Sequence, residues 1–280
     1  MNNFKKDTLC VPGANLYYKI RGSGRPLLMI HGANGSADVF TSIAECLADW
    51  YTVITYDRRG YSRSTTDDKN EEYKVETHSD DAHRLLAALT GEPVYVFASS
   101  AGGVIGIDLI TRHPEHVRIL IAHEPGLLQL LPYSERAAAL KILDNVANDY
   151  INESIFTAYE NFLSAFGIKS TEDIFSRLDT EQLEKTTNNM KYFMGSEVCG
   201  MRNYIHDMDA LKFVLDTTSA RIVIGGSTTW QEYYPYRCSV MLANYLGKEV
   251  VNFPGSHAGY LSDSEEFAVK LHQIFIHTRK

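Results

Sequence analysis

Apolar residues in this chain gather into short β-rich runs, and between the runs they recur at helical spacing. The runs fall at residues 8–11, 15–21, 26–30, 51–56, 94–98, 119–123, 221–224 and 249–253, with a Pro12–Gly13 turn between the first two. Most of the later runs are continuous rather than alternating, as strands covered on both faces of a parallel sheet are. Between them, Phe40, Ile43, Ala44 and Leu47 give an i, i+3, i+4, i+7 stripe, and residues 78–89 and 101–111 read as further helices. The last helix is expected to open with a capping box of Ser262 and Glu265 and to bury Phe267, Leu271, Ile274 and Phe275. Alternating strand and helix predicts an α/β fold with right-handed crossovers.

One stretch breaks the alternation. From residue 133 to about 204 the pattern is helix after helix. Ile155, Tyr159, Leu163 and Phe166 form one stripe, closed by Gly167, and Ser170 and Thr180 read as N-caps of the next two helices. The division expected is a core of residues 1–132 and 206–280, with 133–205 inserted between two strands of one sheet. The insertion carries Met190, Tyr192, Phe193, Met194, Met201 and Tyr204 close together, and Leu127, Leu128, Leu130 and Leu131 lead into it.

Composition narrows the function. The chain has 280 residues and a formal charge of −8, with no basic block, which disfavours nucleic acid as a partner because phosphate neutralisation needs clustered Lys and Arg. A chain of this length buries roughly three quarters of its unfolded surface without a metal or disulfide staple. The four cysteines, Cys10, Cys46, Cys199 and Cys238, are widely spaced, so no zinc site is expected, and they read as reduced, mostly buried thiols of a cytoplasmic protein. No apolar run is long enough to span a membrane, and the first ten residues lack the apolar segment of a secretory signal.

In parallel α/β sheets ligands bind beyond the carboxyl ends of the strands. The strongest signal there is residues 94–106, VYVFASSAGGVIG, where a strand runs straight into a helix through Ala98-Ser99-Ser100-Ala101-Gly102. A serine on so tight a turn needs small residues two before and two after it. Ala98 and Gly102 satisfy this for Ser100; for Ser99 the position two before is Phe97. The helix that follows aims its N-terminus at the serine and favours negative charge there. Packing alone is the bland reading of such a junction. A dinucleotide site is a rival: Ala101, Gly103 and Gly106 approximate GxGxxG, and Glu124 stands where a ribose-binding acid would. The first glycine is replaced by Ala101, however, and the unit does not open the fold.

The second signal is His31-Gly32-Ala33-Asn34-Gly35 at the exit of the strand at 26–30. Its backbone N–H groups would lie beside the serine, and Ala33 and Ala101 are the two donors assigned to an oxyanion hole. The third is His257, in a loop of small residues after the last strand, the one of ten histidines best placed to reach Ser100; His31 and His123 also lie near strand ends.

With these motifs in place, the chain resembles the α/β-hydrolases over nearly its full length outside the insertion. The resemblance rests on His31-Gly32, on residues 57–64 (DRRGYSRS), on the Ser100 turn, on residues 113–117 (HPEHV) and on residues 254–260. It implies a Ser–acid–His order, a mostly parallel eight-stranded sheet flanked by helices, a helical cap formed by the insertion, and a structural role for residues 57–64.

The acid departs from the family pattern. An Asp commonly follows the strand that ends here at 224, but the sequence reads Gly225-Gly226-Ser227-Thr228-Thr229-Trp230-Gln231-Glu232. Some members carry the acid one strand earlier, which makes Glu124 the candidate and Glu232 the second, with a Ser–His dyad as a third arrangement. The expected function is a serine hydrolase, without cofactor, cleaving a small, largely apolar carboxylic ester, thioester or lactone. Carbon–carbon bond hydrolases, cofactor-free haloperoxidases and acyltransferases use the same frame, as do small-molecule sensors that regulate a partner, so fold alone does not choose among them. The sequence leaves a homodimer open.

Overall fold

A computed structural model of the chain describes residues 4–165 and 178–278. The strands are β1 (Phe4–Val11), β2 (Ala14–Arg21), β3 (Arg25–Ile30), β4 (Tyr51–Tyr56), β5 (Thr65–Thr66), β6 (Val94–Ser99), β7 (Val117–His123), β8 (Arg221–Ser227) and β9 (Val250–Phe253). They form one sheet in the order β1-β2-β4-β3-β6-β7-β8-β9. β1–β2 and β2–β4 pair antiparallel; from β4 to β9 every pairing is parallel. β5, the strand the sequence pattern did not reveal, is two residues long and pairs only with β2; two residues are too few to show a period.

The core helices are α1 (Thr41–Leu47), α2 (Val75–Leu89) and α3 (Ala101–Arg112). Between β7 and β8 the described residues form α4 (Tyr133–Asn152), α5 (Ile155–Ser164), α6 (Thr180–Tyr192), a π-helical turn (Phe193–Glu197), α7 (Val198–Asn203) and α8 (Met208–Thr217). The chain ends with α9 (Tyr234–Leu246) between β8 and β9, then α10 (Gly259–Ser262) and α11 (Ser264–His277).

Side chains alternate across the sheet. Leu28 and Ile30 of β3 pack on the face covered by α2, α3 and α8, whereas Leu27 and Met29 pack on the face covered by α1 and α11. Every residue of β6 is buried, which explains its unbroken apolar run.

Local signals shifted in two places. Asp179, not Thr180, caps α6: its carboxylate accepts the Gln182 N–H at 2.8 Å, and Gln182 returns a bond to the Asp179 N–H. The capping box of Ser262 and Glu265 does not form. Ser262 closes α10 and donates to Asp263, where the backbone breaks before α11 begins. Phe166, Gly167 and Ser170 lie outside the described residues. All four cysteines are free, but only Cys238 is fully buried, and Cys10 and Cys199 are exposed, contrary to the expectation of mostly buried thiols. No helix among the described residues is long and apolar enough to cross a membrane.

Candidate active site

β6 ends at Ser99 and α3 starts at Ala101, so Ser100 makes the whole turn alone. Its φ of 58° and ψ of −124° lie where non-glycine residues are rarely found, a strained conformation that persists only when the surroundings over-determine it. They do so here. The Ser100 N–H donates to the His123 carbonyl at 2.9 Å. A Cβ on Gly102 would lie 2.4 Å from the Ile30 carbonyl oxygen and 2.5 Å from that of His31, and a Cβ on Gly106 would lie 2.8 Å from the Ala98 Cβ. These approaches are the reason small residues flank the serine. Ser99 is fully buried beneath the turn, whereas Ser100 is half-buried and lines a cavity.

His31 does not act as a base in this arrangement. It is fully buried, and its Nε2 accepts the Arg58 backbone N–H at 3.1 Å, so Nδ1 carries the proton and donates to the Gly32 carbonyl at 2.8 Å. Burial, and then the charge of Arg58, hold its pKa well below the usual imidazole value. The ring thus clamps the Gly32–Gly35 turn. Arg58, inside the stretch read as a structural turn, reaches the same place: its Nη2 donates to the Gly32 carbonyl and to both Glu197 oxygens, each at 3.0 Å.

His257 follows Gly255, whose φ of 79° turns the chain, and Thr228 and Thr229 both donate backbone N–H groups to the Gly255 carbonyl. The imidazole Nδ1 donates to Glu124 Oε2 at 2.5 Å. Glu124, only 2% exposed, takes up φ 45° just past β7, and its other oxygen accepts the Ser227 N–H at 2.7 Å. Burial raises its carboxyl pKa, but the hydrogen bond and charge of His257, with help from His123 and Ser227, outweigh burial and bring it down to about 2. Glu232 is exposed in the turn after β8. The carboxylate weighed as a ribose ligand is therefore engaged by His257 and Ser227, and Gly103 and Gly106 are explained by packing against Pro125 and Ala98.

Two cavities meet at Ser100. One, of about 440 Å³, is lined by Ser100, His257, Tyr159, Leu163, Trp230 and Leu261 among others. The other, of about 60 Å³, is lined by Ser100, Ala101, Leu143, Phe193, Val198 and Tyr234 among others. Ala33, Ser100 and Phe162 border both. A larger, polar cavity of about 640 Å³ between residues 69–76 and 195–205 holds none of these groups. Its size does not make it the reaction site, because no nucleophile paired with a base lines it.

A family model for the alpha/beta hydrolase fold matches residues 25–179. A hydrolase of Bacillus subtilis (strain 168), YraK, is 43% identical over 98% of this chain and 97% of its own length. The chain belongs to the α/β-hydrolase fold family. Among its relatives is a cis-3-alkyl-4-alkyloxetan-2-one decarboxylase of Shewanella oneidensis, 27% identical over 59% of this chain and 53% of that protein. Among solved structures, the esterase EaEST of Exiguobacterium antarcticum superposes with a TM-score of 0.73 at 19% identity, covering 98% of each chain. In this α/β-hydrolase the matched segment contains Ser100 and Glu124 but stops before His257.

The cavity walls were legible only in part: Leu128, Phe193 and Met201, grouped above in and before the insertion, line the small cavity, but other wall residues were not singled out. Phe162 and Leu143 belong to the inserted helices, and Trp230, at φ 63°, to the turn after β8. Nothing local marks them; only the fold brings them to Ser100. Among the described residues, three donors that could approach one metal ion, His83 of α2 and Glu115 and His116 just before β7, lie within 4.8 Å of one another, and none lines either cavity at Ser100.

Proposed function

We propose that this chain is a serine hydrolase that cleaves a small, largely apolar carboxylic ester, thioester or lactone through an acyl-enzyme. The observation that carries the reading is the 2.5 Å contact from His257 to the buried Glu124, on a ring that borders the same cavity as Ser100. A carboxylate on Nδ1 leaves Nε2 as the basic nitrogen and stabilises the imidazolium that forms. Ser100 Oγ attacks the carbonyl carbon while His257 takes its proton. The backbone N–H groups of Ala33 and Ala101 receive the developing oxyanion, the second at the unpaired first turn of α3. His257 then passes the proton to the leaving group, and water, deprotonated by His257, releases the acid and restores Ser100.

In this reading residues 133–205 act as a cap over the core of residues 1–132 and 206–280, because Leu143, Tyr159, Phe162, Leu163, Phe193 and Val198 of the described insertion line the two cavities at Ser100. The Shewanella relative is named a decarboxylase of an oxetan-2-one, a four-membered lactone, so its support for lactones extends to the substrate and not to the reaction.

The test is a fluorophosphonate probe combined with a short-chain p-nitrophenyl ester. Stoichiometric labelling that blocks steady turnover, both lost in Ser100→Ala, supports the enzyme. Removing a member of such a triad lowers kcat by about 10⁶. Labelling without turnover would point to a sensor built on the same fold, and unimpaired turnover in Ser100→Ala would discard the nucleophile.

A further inference from the structure

We infer that the two cavities sort the halves of an ester: the acyl group enters the chamber of about 60 Å³ and the alcohol the chamber of about 440 Å³. The preferred substrate is therefore a short-chain acyl ester of a bulky, apolar alcohol. The inference rests on Ser100 and His257 acting as described above and adds which side of the serine each half occupies.

The assignment follows from where the groups stand. Ser100 borders both chambers, so the carbonyl carbon it attacks sits at their junction. His257 borders only the large chamber. When the tetrahedral centre collapses, the bond from carbon to the alcohol oxygen breaks, and that oxygen needs the proton that His257 took from Ser100. A general acid must lie within hydrogen-bond reach of the atom it protonates. The alcohol therefore leaves on the side of His257. Ala101 borders only the small chamber and Ala33 borders both, which places the carbonyl oxygen's donors at the junction, beside the acyl carbon. Water then enters from the vacated alcohol side, gives its proton to His257 and attacks the acyl carbon, and the acid departs as Ser100 regains its hydrogen.

Size and lining decide the chemistry of each half. The small chamber has about a seventh of the volume of the large one, so the shorter half of the ester belongs in it. Leu128, Leu143, Phe193 and Val198 wall it, all buried and apolar. An anionic acyl group would lose its hydration there and would face the Glu124 carboxylate, which also borders the chamber. The large chamber has Val39, Leu163, Trp230 and Leu261 for an apolar alcohol, with Asn34 and Ser262 adding polar groups.

Two ester series test this on the intact protein. In 2-naphthyl esters with acetyl, butyryl, hexanoyl and octanoyl groups, kcat/KM should fall about a hundredfold from the short to the long acyl chains. In acetates of methanol, benzyl alcohol and 2-naphthol it should rise with the alcohol, and the benzyl-to-methyl comparison separates size from leaving-group acidity. Phe193→Ala and, as a milder change, Val198→Ala should each raise the octanoate-to-acetate ratio about tenfold, a ratio measured within one preparation and so independent of the fraction folded. Ester turnover with kcat/KM constant or rising with acyl length overturns the sorting and leaves the serine mechanism standing. No turnover of any ester, with no fluorophosphonate labelling, overturns both.

Discussion

Glu124 Oε2 accepts the Nδ1 proton of His257 at 2.5 Å, while its Oε1 is held at 2.7 Å by the backbone of Ser227, at the end of the strand where the family more often places the acid itself. The β8 exit has thus exchanged one role for another. Ser227 steadies the carboxylate from β7, and Thr228 and Thr229 bind the Gly255 carbonyl and so anchor the loop that carries His257.

Glu124→Gln should accordingly lower kcat by about 10⁴, the size of effect seen when a triad carboxylate becomes an amide and the histidine tautomer is lost. Glu232→Gln, in an exposed turn, should leave kcat within twofold. Steady-state hydrolysis of a short acyl ester compares the two; full activity in Glu124→Gln would remove it from the mechanism.

The same carboxylate should be visible in stability. Its folded pKa of about 2 lies below its ordinary value of 4.5, so its contribution is fully present above pH 4.5 and is lost as the pH falls through about 2. The whole window is worth about 3 kcal/mol by linkage. Urea denaturation at pH 6 and at pH 3 should show a smaller loss in Glu124→Gln than in the wild type, because the amide does not titrate.

How much of this was legible beforehand follows physical lines. The continuous runs named the strands because burial on both faces leaves no polar positions, and β5 escaped because two residues have no period. Ser100 could be told from Ser99 because the turn excludes a side chain as large as Phe97 two positions back. Glu124 could be ranked above Glu232 as the partner of His257 only through the family resemblance, since both follow strands and nothing local encodes the positive φ that swings Glu124 inward. The chamber walls and the Glu197 partner of Arg58 come from helices far away in the chain, and no local spacing encodes where those helices lie.

Two glycines near the serine should fail differently when a methyl is added. In Gly32→Ala the new Cβ would lie 2.9 Å from the Ser100 Cβ and 3.2 Å from the Ser99 carbonyl oxygen, so relief requires a small shift of the turn that carries the nucleophile. Misplacement of a reacting group by about an ångström costs about a hundredfold in rate, so kcat should drop by that order with modest loss of stability. In Gly102→Ala the methyl would meet two backbone carbonyl oxygens, at 2.4 and 2.5 Å, which cannot swing away. There the loss should be in folding, about 3 kcal/mol or more. Thermal melts and kcat measured on both variants separate the two outcomes.

The buried ion pair between Arg58 and Glu197 should separate stability from activity in the opposite sense. Both side chains are fully buried, Tyr61 donates to Glu197, and Arg58 also donates to the Gly32 carbonyl next to Ala33. Glu197→Ala leaves a guanidinium without its counter-ion and should cost about 3–5 kcal/mol. Replacing both partners by apolar residues, Arg58→Met with Glu197→Leu, removes the stranded charge and should recover much of that loss, since well-packed apolar replacements of buried pairs are often neutral. Turnover should not recover with it, because the Gly32 carbonyl then lacks the donor that fixes the turn presenting the Ala33 N–H. Urea midpoints and kcat for the single and double variants decide the matter: recovery of both together would make the pair a folding element alone, and recovery of stability without kcat would make Arg58 a positioning residue for the oxyanion turn.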